Sequence, residues 1–475
     1  MTISRTNRST TREDHPENIV DFAAISSMLE RAAGTDPARA KEIIHKAAAA
    51  KGLNLQDVAH LLTVTDPEVQ NELFETARRV KNTIYGRRVV VFAPLYVSNI
   101  CVNDCAYCAF RSKNPHPRRT SLSNQEVEEE VRALLSEGQK RLLLVAGESN
   151  SEQAIDRLFQ CIDVVYATRR GKENIRRVNV NFAPMSIDDF RRLAEHSIGT
   201  YQSFQETYHR ETYVNVHPSG PKADYDWRLG TMDRALSAGL KDVGIGALFG
   251  LFDWRFELLA LLQHARHLEE SFGVGPHTIS VPRLEPAFCA PLSRDPACPV
   301  SDQDLRRVVA ILRLAVPYTG IILSTREKPE LRRELLALGV SQISAGSCTS
   351  PGGYSSRRNR ELAQFSLGDH RPLDEVVRDL AIHGYIPSFC TACYRMGRVG
   401  KDFMDLAKPG AIRRHCDPNA MLTFQEYLLD HASEKTRETG DQALSAHLGA
   451  MDHKRAKLTR QLLTKVCQGH RDVLV

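Results

Sequence analysis

The stretch RVVVFAPLYVSNICVNDCAYC, Arg88 to Cys108, decides how this chain is read. Its first half, Val89–Ser98, is apolar and β-branched without a polar face, the pattern of a strand buried on both sides. Two residues beyond it comes Cys101-x3-Cys105-x2-Cys108, with Tyr107 just before the last cysteine. Three thiolates in one loop can hold three of the four irons of a cubane iron–sulfur cluster. Such clusters normally take four cysteines, so a trio leaves one iron open to an incoming molecule.

Seven further apolar runs follow the first: 141–148, 177–184, 199–207, 242–249, 278–286, 320–326 and 341–347. Amphipathic segments such as NQEVEEEVRALLSEG and IDDFRRLAEHS separate most of them. Strands alternating with helices predict an α/β fold with a parallel sheet, and eight βα units are the count of a closed (βα)8 TIM-type barrel. A doubly wound open sheet is the alternative, and no GxGxxG follows the first strand to support it. In a barrel the cysteine loop lies at the C-terminal mouth, where chemistry sits. The same rim would carry Gly147 and Glu148 after strand two, Gln205 and Glu206, Arg283 and Glu285, Ser324 and Arg326, and Ser347.

The flanks read differently. Residues 1–20 are expected to be a disordered tail. Residues 21–82 carry helical periodicity, as in DFAAISSMLERA. This divides the chain into an N-terminal extension (1–84), a barrel (85–350) and a helical C-terminal domain (351–475). Gly352-Gly353 and the basic run 357–360 suggest an exposed loop. The C-terminal domain holds a second trio, Cys390-x2-Cys393-x22-Cys416. It suits a second cubane with one open iron; structural zinc is the alternative, with His415 as a fourth ligand.

Bulk properties bound the rest. The 475 residues are 42% hydrophobic and 25% charged, enough for a large core. The 63 basic and 58 acidic residues are too balanced to argue for nucleic acid. No apolar run reaches the ~20 residues of a membrane span. The polar N-terminus lacks a secretory signal, so the expected location is a reducing, cytoplasmic one. Targeting to an organelle stays open, because no acid precedes Glu13. Of the 11 cysteines, Cys161, Cys289, Cys298, Cys348 and Cys467 are scattered singly and read as ordinary thiols.

The first trio, the barrel pattern and the Gly147-Glu148 pair together resemble the radical SAM superfamily. Segments such as KDVGIGALFGLFDW, GVGPHTISVPRL, GYIPSFCTACYRMGR and CDPNAMLTFQEYL resemble, more narrowly, the HydG family of [FeFe]-hydrogenase maturases, over roughly residues 85–430. The related tyrosine lyases of thiamine synthesis (ThiH) share the barrel and first trio but lack the second. The resemblance implies two [4Fe–4S] clusters and S-adenosyl-L-methionine, which chelates the open iron of the first. It implies cofactor-binding roles for Tyr107, Gly147, Glu148 and Gln205, with Glu148 receiving the methionine ammonium. It implies an additional labile iron on the second cluster, held by a histidine: His277 is the choice, with His264 and His267 as competitors.

L-tyrosine is the implied substrate, its carboxylate on Arg326 and Ser324 and its phenol near Tyr96, Gln205 and Tyr208. Cleavage would give p-cresol and dehydroglycine, the latter converted to carbon monoxide and cyanide. The implied partners are other hydrogenase maturases and a reductant such as ferredoxin or flavodoxin, with no nucleic acid and no membrane. Two other readings stay open: a 2-iminoacetate synthase of thiamine synthesis, and a non-catalytic iron–sulfur carrier.

Overall fold

The computed structural model describes residues 19–149, 151–356 and 363–475. The basic run 357–360 and most of the expected tail lie outside the described residues. The end of that tail is a correction: Ile19 and Val20 are buried, because two adjacent aliphatic side chains gain more by joining the core than by staying in water. They lead into four helices, α1 Phe22–Ala32, α2 Pro37–Ala47, α3 Leu55–Thr63 and α4 Pro67–Tyr85. Asp21, Asp36, Asn54 and Asp66 cap their first turns, and proline opens α2 and α4. Each cap is worth about 1 kcal/mol. Helix α4 runs straight into the barrel through Gly86.

Eight parallel strands close the barrel: β1 Arg88–Ser98, β2 Arg141–Ala146, β3 Arg177–Asn181, β4 Thr200–Gln202, β5 Asp242–Gly246, β6 Thr278–Ser280, β7 Gly320–Leu323 and β8 Gln342–Ser344. Each pairs with the next, and β8 closes on β1 from Val90↔Gln342 to Phe92↔Ser344. All eight fall inside or over the expected runs, but β4 and β6 stop short. Pairing resumes beyond them only as isolated bridges, Glu206↔Ala247 and Phe249↔Arg283. Glu206 has φ +70°, which no extended ladder accommodates.

A further strand, β9 Ile386–Ser388, was not expected from the sequence. It pairs in parallel with Arg88–Val90. A strand has two edges. Val90 pairs with Gln342 of β8 and with Ser388 of β9, so β9 shares with β2 the edge opposite β8. With 11 residues β1 is long enough to serve both: Ala93–Ser98 meets β2 and Arg88–Val90 meets β9. The extra strand is short and contains Pro387, which hides its pattern. Its position matters, because Cys390 follows two residues later. The remaining C-terminal chain is helical, with long helices at Arg413–Asp430, Glu434–Ala450 and His453–Cys467. Among the described residues no helix is long and apolar enough to cross a membrane.

Candidate functional site

Two cavities lie inside this barrel, one at each end. The upper one, about 190 Å³, opens at the C-terminal ends of the strands. Cys101, Cys105, Cys108 and Tyr107 all line it, together with Gly147, Glu148, Ser324 and Arg326. The loop that carries the trio is pinned to its neighbours: the Val102 N–H donates to the Glu148 carbonyl at 3.1 Å, and Gly147 N–H to Ser98 O at 2.8 Å. A Cβ at Gly147 would stand 2.2 Å from Ile100 O, so glycine is what lets strand two's end approach the cysteine loop. Burial pushes the Cys101 thiol up to about 11 and raises those of Cys105 and Cys108 as well. Thiols this reluctant to ionise give up their protons to a metal, not to water. Cys108 Sγ already accepts from Phe110 N–H at 3.4 Å and Gln364 Nε2 at 3.6 Å. Donors aimed at sulfur fit a thiolate ligand.

Tyr107 sits behind the trio. Its hydroxyl meets His217 Nε2 at 2.8 Å, while His217 Nδ1 donates to Tyr213 O at 2.9 Å. Burial holds His217 well below its usual range, so the ring is neutral and Nε2 accepts from the tyrosine.

Glu148 is the centre of a buried charge network. Arg228 forks onto it with two bonds of 3.1 Å, Asn103 Nδ2 donates at 3.2 Å, and Lys222 Nζ approaches at 3.3 Å. Lys222 also bonds Glu206 at 2.8 Å. Burial pushes the Glu148 carboxyl up, but Arg228 and Lys222 outweigh it and bring it down to about 2. The network holds two carboxylates and two cations. Glu206 joins it from a strained backbone (φ +70°), a cost of the kind found at functional sites. Gln205 lies outside the cavity lining; Phe204 and Glu206 supply that strand end instead. Asn103, Lys222 and Arg228 were not singled out from the sequence. A lysine in the short turn Pro221–Ala223 and an arginine in the short helix Tyr225–Leu229 look solvent-exposed until the fold buries them.

Opposite the cysteines, Arg326 faces the cavity with no carboxylate within 4.0 Å among the described residues. Its side chain donates to Arg283 O at 3.3 Å, and its guanidinium stacks 3.4 Å from the Phe365 ring centroid. Arg283 takes Glu327 and Asp302, which leaves the Arg326 fork open. Ser324 lines the wall beside it. Tyr96 also lines the cavity, its hydroxyl donating to Gln364 Oε1 at 2.7 Å. Tyr208 instead bonds His264 Nδ1 at 2.9 Å, deep in the packing.

The lower cavity, about 50 Å³, lies at the N-terminal end. Strand β9 delivers Cys390 and Cys393 to it, and the helix Arg413–Asp430 brings Cys416 from its first turn. His277, on the residue before β6, lines the same cavity. His264 is tied to Tyr208 and His267 to Asp233 at 2.7 Å; neither lines it, and His415 does not either. Cys390 Sγ accepts from Ala392 N–H at 3.3 Å. A hydrogen bond from Cys416, aided by Arg398 and Arg88, pulls Cys393 down, while Cys416 keeps the proton and is raised. Three lining residues leave buried polar atoms without hydrogen-bond partners among the described residues: Arg88 Nε, Arg141 Nε and Ser341 Oγ. His277 Nδ1 lies 3.3 Å from Asp242 Oδ1, which turns the other ring nitrogen to its free side, the usual support of a metal-binding histidine. Among the described residues no three ligand side chains converge as a single ion would need. Thiolates that each take their own iron need not converge in that way.

Comparison with known proteins agrees with this geometry. Residues 95–262 match the Radical SAM superfamily and 280–386 the Biotin and Thiamin Synthesis associated domain. A crystal structure of HydG, a maturase of the [FeFe]-hydrogenase, is 47% identical, with a TM-score of 0.93 over 96% of this chain and 100% of that one. This chain belongs to the HydG family of radical SAM enzymes. The HydG structure from Carboxydothermus hydrogenoformans is 39% identical, with a TM-score of 0.83 over 94% of this chain and 99% of that one. The 2-iminoacetate synthase of Escherichia coli K12 is 32% identical over 345 residues, 72% of this chain and 89% of the relative. HydG-family membership implies a [4Fe–4S] cluster and S-adenosylmethionine, and the trio at the mouth is where the residues fit them.

Proposed function

We propose that this HydG-family enzyme is a tyrosine lyase that cleaves L-tyrosine to p-cresol and dehydroglycine at the upper cavity. At the lower cavity it converts dehydroglycine to carbon monoxide and cyanide for assembly of the [FeFe]-hydrogenase active site. One observation carries the reading: two cysteine trios line two cavities at opposite ends of one barrel. Cys101, Cys105 and Cys108 would hold the first [4Fe–4S] cluster. When bound, the cluster and S-adenosylmethionine supply a 5′-deoxyadenosyl radical.

The protein's own residues do the rest. Arg326 offers its open fork to the tyrosine carboxylate, and Ser324 adds a hydroxyl bond. Phe365 stacked on the guanidinium fixes its plane. Glu148, kept ionised by Arg228 and Lys222, presents a carboxylate to the methionine ammonium on the cofactor side. Apolar lining from Phe92, Leu143, Val145, Leu248 and Leu284 excludes water, which protects an imine product. Below, Cys390, Cys393 and Cys416 would hold a second [4Fe–4S] cluster and His277 the labile iron, which supplies the site for the diatomic products.

The test is an anaerobically reconstituted enzyme given S-adenosylmethionine, tyrosine and dithionite, with p-cresol, cyanide and CO measured together. Cys393→Ala should still make p-cresol and lose CO. Unchanged CO would remove the lower cavity from the reaction. The lower cavity also separates this reading from an enzyme that stops at dehydroglycine.

A further inference from the structure

Three of the nine exposed large apolar side chains among the described residues are Ile100, Val102 and Trp227, at 46%, 42% and 36% exposure. Ile100 and Val102 flank Cys101 in the chain. Val102 and Trp227 wall one shallow hollow with Pro184 and Pro221. The patch therefore lies on the outer face of the cysteine loop. Cys105 is enclosed by Tyr107, Val216, Leu248 and Leu251, so the Cys101 side is the short way from solvent to the trio.

The charge beside this patch is one-sided. From Cys105 to Gln125 the chain has Arg111, Lys113, Arg118 and Arg119 and no acid. Arg119 is used inward, on the carbonyls of Asn99, Phe110 and Asn114. Asp104 is buried under Arg111 and Lys113. Arg118 is exposed and makes no ion pair among the described residues, yet its carbonyl accepts from Asn99 Nδ2 at 2.9 Å, which places it next to Ile100. On the far side Arg234 stacks 3.6 Å over the Trp227 ring. Of the acids around the hollow, Asp224 caps Trp227 N–H, Asp226 pairs with Arg210, and Glu148 in its wall is held by Arg228 and Lys222.

An apolar centre with a cationic margin suits a protein partner whose own redox centre lies at an acidic surface. We infer that Ile100, Val102 and Trp227, with Lys113 and Arg118, form the docking surface for a small acidic one-electron carrier protein. The carrier gives one electron and is oxidised by one, and the cluster held by the trio is reduced by one; no bond or proton changes hands in the transfer. The inference rests on the reading of Cys101, Cys105 and Cys108 as a cluster site.

The probe is flavodoxin hydroquinone, with dithionite as the small reductant that needs no docking. The readout is 5′-deoxyadenosine formed by the holoenzyme. In Arg118→Glu the flavodoxin concentration for half-maximal rate should rise at least fivefold at low salt. The gap should close above ~0.5 M salt, where screening falls to a few Å. Ile100→Ser/Val102→Ser should show a similar rise at every salt concentration. Dithionite-driven rates should stay within twofold of wild type. Unchanged flavodoxin dependence in both variants would overturn the inference. Equal losses with both reductants would overturn it too, since the residues would then shape the loop and not the encounter. Wild-type enzyme that makes no 5′-deoxyadenosine even with dithionite would overturn the cluster reading beneath it.

Discussion

Arg326 is a guanidinium with five donors, of which one is used inside the protein, on Arg283 O. Of the carboxylates whose charge reaches it, Glu206 is taken by Lys222 and Glu327 by Arg283, and Glu285 makes no ion pair with it. On the proposed function, a tyrosine carboxylate arriving in the upper cavity would meet a half-buried cation whose two free prongs match its two oxygens. Hydrogen bonds to charged groups contribute about 1.5–3 kcal/mol each. Arg326→Lys keeps the charge and loses the fork, which costs one such bond, or roughly 10- to 150-fold in kcat/KM for tyrosine. Arg326→Met loses both the charge and the fork, and should cost on the order of 10³-fold or more. The assay is p-cresol formation against tyrosine concentration with dithionite as reductant, read beside 5′-deoxyadenosine formed without tyrosine. The second rate should hold within about twofold in both variants, because Arg326 bonds none of the groups around the trio. A lysine variant with wild-type tyrosine dependence would refute the assignment. So would a parallel fall of the tyrosine-independent rate.

Three further outcomes follow from the geometry. Gly147→Ala puts a Cβ 2.2 Å from Ile100 O, so the cysteine loop must shift; iron bound per chain at the upper site, counted by spectroscopy, should fall while far-UV circular dichroism does not. The Glu148 carboxyl, at about 2 in the folded chain against an ordinary 4.5, adds stability that is complete above pH 4.5 and fades as pH drops toward 2. That is on the order of 3 kcal/mol; urea midpoints of the metal-free protein should fall more steeply from pH 5 to pH 3 in wild type than in Glu148→Gln, and parallel curves would contradict the network. Glu257 behaves oppositely. Burial lifts it to about 7 although Thr207 and the Tyr208 N–H bond it, so its contribution is complete below 4.5 and is lost as pH rises through 7. Glu257→Gln should therefore gain on wild type as pH rises from about 4.5 to 7 and hold that gain above, by a few kcal/mol at most, in thermal unfolding compared across pH.

Much of the fold was legible because barrel strands announce themselves. Val89–Ser98 has no polar face, and a strand without one must be covered on both sides. Chain order then put the cysteine loop at the mouth. His277 could be aimed at the lower end by the same rule, since a residue just before a parallel strand sits at its N-terminal end. What escaped was set by contacts far apart in sequence. Lys222 and Arg228 look like surface cations until Glu148, some 75 to 80 residues away, draws them under cover. Strand β9 is three residues long with a proline, so nothing local marks it; it forms because β1 runs past the barrel floor with an unpaired edge. Gln205 was assigned by proximity to the mouth, but alternation along a strand end admits Phe204 and Glu206 and leaves Gln205 behind.

The same alternation fixes how far apart the two cavities are. Inward positions on one strand recur every second residue, about 6.6 Å apart at 3.3 Å per residue. The upper cavity is floored by Phe92, Ile322 and Ser344; the lower one is roofed by Val90, Gly320 and Gln342. On β1, β7 and β8 these are successive inward positions, so the floor of one compartment rests directly on the roof of the other, and together they form the layer between them. That layer is partly polar and incompletely bonded: Gln202 Oε1 and Thr278 Oγ1 are buried without partners. Glycine at 320 removes a side chain where a Cβ would stand 2.6 Å from Gln342 Nε2. Under the proposed function, a two-carbon polar fragment made above would have this layer to cross, past groups able to bond it. A tyrosine or a p-cresol is too large for such a step. Under the proposed function, the phenol would leave by the mouth and only the small fragment could go down.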